Sequence, residues 1–60
     1  MYNDEELLMV RNLVMLCCLL YPRTNAMLLA QNWERHKVLV EYEMPDYATL
    51  QTWVREFKTL

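Results

Sequence analysis

The groups best suited to chemistry in this chain are few: the adjacent pair Cys17 and Cys18, the single histidine His36, and the acids Glu41, Glu43 and Asp46. Adjacent cysteines could offer a thiolate or a bridge. On a helix, however, neighbouring side chains point about 100° apart, and a disulfide between them demands a geometry that helical backbone does not supply. The pair lies inside nine unbroken apolar residues, Leu13 to Tyr21, and reads as two small core hydrophobes in a reducing compartment. His36 belongs to no Cys-x2-Cys or His-x3-His spacing, so a zinc site is not expected. It is expected on the surface of a second helix, with a proton-sensitive interface contact as the alternative. Glu41, Glu43 and Asp46 have no basic or metal-binding companions in a recognisable pattern and read as a solvated acidic corner. The chain contains no serine, which excludes serine triads, and a Cys-His pair would have to draw its thiol from the most apolar segment. A glycosidase-like carboxylate pair needs a cleft that so small a domain rarely provides. The expectation is therefore a binding protein and not an enzyme, with no metal and no cofactor.

The elements that would position these groups are helical. Not one of the 60 residues is glycine, on which hairpin turns, bulges and phosphate-cradling loops mostly depend. Asn3 and Glu6 have the spacing of a capping box, and Asp4, Glu5 and Glu6 put negative charge where a helix dipole favours it. A first helix begins there. Leu7, Val10, Val14, Cys17 and Tyr21 recur at spacings of three and four, beside a stripe of Met9, Leu13, Leu16 and Leu20, which together predict a broad core face. Pro22 ends the helix. Thr24 or Asn25 caps a second one, with Ala26, Leu29, Ala30, Trp33 and Val40 on one side. From Lys37 to Glu43 the residues also alternate in the manner of a strand; helix is preferred, because a lone strand would need a symmetry mate to pair with. Met44-Pro45-Asp46 is the next break, with Asp46 as cap or Pro45 in the first helical position. Tyr47, Leu50, Trp53, Val54, Phe57 and Leu60 then keep the helical period. The expected fold is a single all-α domain over 1–60, a compact three-helix bundle with helices at about 3–21, 24–43 and 46–58. Its apolar first helix is central, with the other two packed across it.

Size and composition point to assembly. Sixty residues lie near the lower limit for a self-sufficient core, yet 55% of them are hydrophobic. The first helix carries a heptad-spaced seam, Leu8, Asn12, Met15 and Leu19, beyond what its own core requires. An asparagine among apolar residues is the device by which coiled coils fix register and partner number. These four are the expected homodimer interface. Trp33, Tyr47 and Trp53 are candidate anchors for a further protein partner wherever the core does not use them.

The segment from Met44 to Phe57 resembles the turn and second helix of a helix-turn-helix unit. In that family the second helix enters the major groove, a role that the resemblance assigns to Thr49, Gln51, Thr52 and Arg55. The turn lacks the usual glycine, few Lys or Arg flank it, and the net charge is −2, so nucleic acid ranks behind protein as partner. The sequence opens on acidic residues where a secretory leader would be basic, and the apolar run is shorter than the roughly 20 residues of a membrane span. A cytoplasmic homodimeric adaptor or regulator is the expectation. Its small size, lack of glycine and abundance of methionine suit an accessory protein of a phage or mobile element.

Overall fold

A computed structural model describes residues 2–35 and 41–60. Three α-helices and one 3₁₀ turn follow in order: α1 (Asp4–Leu20), α2 (Ala26–Gln31), the turn Trp33–Arg35, and α3 (Tyr47–Lys58); no strand occurs among the described residues. Each α-helix starts at a side-chain cap. The Asn3 carboxamide oxygen accepts from the Glu6 backbone N–H at 2.8 Å while the Glu6 carboxylate accepts from the Asn3 N–H at 3.4 Å, closing the expected capping box. Asn25 caps α2 by accepting from the Leu28 N–H at 2.9 Å. Asp46 caps α3, taking both the N–H and the hydroxyl of Thr49. No described residue has a positive φ, so each helix ends without a left-handed residue. At Tyr21 the cap N–H still reaches the Cys17 carbonyl at 2.9 Å before Pro22 turns the chain away.

The second helix is much shorter than the expected 24–43. It leaves α geometry at Asn32, where the backbone N–H and the side-chain amide both donate to the Leu28 carbonyl, at 3.1 and 2.9 Å. The backbone bond is the last helical one, and the side-chain amide on the same oxygen competes with helix continuation. The Trp33 indole then donates to the Tyr42 carbonyl at 2.8 Å. In a continuous helix those two residues would stand about 13 Å apart along the axis, so this bond requires the chain to fold back. Residues 41 and 42 form turn and bend, and 43–46 are neither helix nor strand. His36, Lys37 and Val40, and the choice between helix and strand at 37–40, lie outside the described residues.

The core gathers Val10, Val14, Cys17 and Cys18 from α1, Ala26 and Leu29 from α2, Trp33, and Leu50, Trp53, Val54 and Phe57 from α3. α3, not α1, is the central element, a reversal of the sequence expectation. It packs against both other helices, whereas no Cα of α1 comes within 8 Å of one in α2. The six residues of α2 are too short a span to cover a second stripe of α1. Leu7, Met9, Leu16, Leu20 and Tyr21, expected in the core, are consequently exposed. At the other end of the sequence Leu60 extends beyond α3 and is exposed as well. The Cα radius of gyration is 10.5 Å, close to the roughly 10.4 Å of a compact 60-residue chain. The exposed leucines therefore belong to a folded surface and not to an expanded chain.

Candidate interaction surface

One side of α1 is fixed by its packing on α3. Val10, Val14, Cys17 and Cys18 point into the core, and Arg11 closes the margin of that contact. Its guanidinium donates to Glu56 at 2.8 Å and lies over the rings of Phe57 and Trp53, 4.9 and 5.8 Å from their centroids. Both partners of the ion pair are substantially exposed, so the pair itself adds about 1 kcal/mol at most. The arginine's further contribution is to cover aromatic faces with its stem and planar head group.

With that side spent, the helical period sends a second set of residues outward. At 100° per residue Leu8, Asn12, Leu16 and Leu19 fall within a sector of about 80°, with Glu5 inside it and Met9 and Leu20 on its flank. All seven are exposed, Leu8 and Leu19 to 60% and Leu20 to 62%. Together the apolar members present on the order of 400 Å² of surface, within the range of the largest apolar patch on a typical monomer, which is often functional. Asn12 lies at the middle of this face, both around the helix and along α1. Of the four seam residues read from the sequence, Leu8, Asn12 and Leu19 belong to the face. Met15 leans toward the core and is partly buried against it, leaving Leu16 to complete the face. A strict heptad count selects Met15, and only the direction of α3 distinguishes it from Leu16.

The aromatic anchors separate cleanly. Trp33 and Trp53 are only 5% and 8% exposed and are used in the core, while Tyr47 is 42% exposed at the start of α3. Gln51, Thr52 and Arg55 share the solvent side of α3. Two hydroxyls of the set are already engaged, Thr49 on Asp46 at 2.7 Å and Thr52 on the Ala48 carbonyl at 3.0 Å. Fifteen residues separate the end of α2 from the start of α3.

Cys17 and Cys18 are free and buried; burial pushes both thiols up, with the neighbouring thiol adding to the effect at Cys17 and Lys58 opposing it at Cys18. The Thr49 hydroxyl, and then its N–H, hold the Asp46 carboxyl below the usual carboxylate range. Among the described residues no three His, Cys, Asp or Glu side chains gather to hold a metal ion. Neither the hollow of about 720 Å³ beside Trp33 and Tyr42 nor the notch of about 300 Å³ between Tyr21 and Leu28 has a cysteine in its described lining. No described helix is long and apolar enough to cross a membrane.

Family models, curated proteins and solved structures give no match to this chain.

Proposed function

We propose that this chain is a small helical protein–protein interaction module, a homodimeric adaptor or regulator that associates through the outer face of α1. The observation that carries the reading is the set of Leu8, Leu16, Leu19 and Leu20 on the outer side of α1, with Asn12 among them, exposed on a fold that is otherwise compact. Association would remove apolar area from water without reorganising the core, since none of the four leucines belongs to it. An interface of about 800 Å² in total lies below the roughly 1,200 Å² at which stable specific contacts begin, in the range of weak, transient association. Of the three aromatic anchors read from the sequence, Tyr47 is the exposed one through which such a dimer would engage a further protein. Buried thiols at Cys17 and Cys18 fit a reducing, cytoplasmic setting.

The test is the mass in solution. Sedimentation equilibrium at micromolar concentration should give the dimer, and Leu19→Glu, which would bury a carboxylate at the contact, should give the monomer without loss of helical circular dichroism. A wild-type chain that stays monomeric throughout would rule the homodimer out. A second reading is favoured by the polar strip of Gln51, Thr52 and Arg55 on α3, which could face a duplex. Salt separates the two, because phosphate contacts weaken steeply with ionic strength and an apolar contact does not. Duplex binding that falls with salt and disappears in Gln51→Ala/Arg55→Ala would put nucleic acid first.

A further inference from the structure

We infer that a second copy covers the outer face of α1 in antiparallel orientation, with the two Asn12 side chains meeting at the two-fold axis. This rests on the homodimer reading above and adds its geometry. Asn12 is the midpoint of Asp4–Leu20 and of the exposed sector. Antiparallel pairing about it sets Leu8 of one copy against Leu16 of the other, and Glu5 against Leu19. Leu8 and Leu16 then meet each other across the axis, and each Asn12 amide can donate to the opposite carbonyl, so that neither is buried without a partner.

Charge decides the direction. The first turn of α1 carries Asp4, Glu5 and Glu6, and its last turn carries no base. The cations at that far end come from elsewhere: Arg23 follows Pro22, and Lys58 of α3 donates to the Pro22 carbonyl at 3.1 Å. Parallel packing would bring the two acidic turns together and the two basic ends together. Antiparallel packing puts each acidic turn beside the partner's basic end, and it also opposes the two helix dipoles favourably. An isologous contact of this kind closes on itself as a dimer and does not propagate.

A charge swap tests the orientation. Leu19→Glu should weaken the dimer about 100-fold or more, since the new carboxylate faces Glu5 of the other copy. Adding Glu5→Lys to the same chain places the introduced ammonium of each copy opposite the introduced carboxylate of the other, and the double variant should recover the dimer mass at wild-type concentrations. Both positions are exposed in the monomer, so circular dichroism should report an unchanged fold for all variants. In a parallel dimer like charges would meet instead, carboxylate against carboxylate at position 19 and ammonium against ammonium at position 5. A dimeric wild type whose single and double variants are both monomeric would therefore overturn the antiparallel arrangement while leaving the homodimer in place. A monomeric wild type would overturn the homodimer itself. A Leu19→Glu chain that remains dimeric would move the interface off this face and overturn the arrangement as well.

Discussion

At the scale of single residues, the cysteines and the caps carry the clearest consequences. Cys17 and Cys18 lie in the α1–α3 contact with their thiols pushed up by burial, so at neutral pH both stay protonated and shielded. Native protein should react with an aromatic disulfide reagent far more slowly than urea-unfolded protein, a comparison read from the absorbance of the released thiolate. Asp46 works in the opposite sense. Its carboxyl is depressed in the fold by the Thr49 hydroxyl and N–H, so its contribution to stability is present above the unfolded carboxylate range and is lost as pH falls through the folded value. Asp46→Ala should therefore lower the urea midpoint clearly at pH 7, with the difference from wild type shrinking as the pH is brought below the folded carboxyl value. A gap of undiminished size in acid would mean that the cap acts through something other than its charge. Caps of this type are readable from sequence because they need only a short polar residue and a three-residue spacing, which is why Asn3, Asn25 and Asp46 were all recognisable there.

At the scale of elements, periodicity identified where α1 and α3 lie but not which of them is central. A helix apolar on all sides, as α1 is from Leu13 to Leu20, has no preferred inward direction in that part of its own sequence. The direction comes from α3, whose apolar residues are confined to one side: Leu50, Trp53, Val54 and Phe57 are buried, while Gln51, Arg55 and Lys58 face water. The length of α2 was illegible for a different reason. Its end depends on the long-range bond from Trp33 to the Tyr42 carbonyl and on the local bonding of Asn32, neither of which leaves a periodic mark. With α3 central, Leu50→Ala should be among the costliest single truncations, about 2–5 kcal/mol in urea unfolding. Domains of this size have only about 3–9 kcal/mol in total, so the variant should be partly unfolded at 25 °C. Leu16→Ala, on the outer face, should leave the monomer's unfolding free energy nearly unchanged. Equal losses at the two positions would contradict the burial assigned to α3.

At the scale of the whole molecule, the surplus of apolar residues was legible from composition, and the face on which it accumulates was legible in part. Leu8, Asn12 and Leu19 followed from spacing, whereas Leu16 replaced Met15 only once the packing direction was fixed. In the proposed dimer Asn12 lowers affinity in exchange for a single register. Asn12→Leu should thus associate more tightly than wild type, and its sedimentation profile should include species larger than the dimer. A variant that associates no better than wild type would show that Asn12 remains in water and takes no part in the contact.

The absence of any described residue with positive φ bears on how such a chain can diverge. Glycine is usually the hardest residue to replace in a small fold because no other side chain tolerates the left-handed region as readily. Here no described turn depends on that region, so the loops at 21–25 and 41–46 impose no residue type through a left-handed backbone. Drift in those segments is limited by packing, capping and the stop at each proline. Two descendants of this sequence could share the fold while keeping little in common beyond an apolar period and three polar caps.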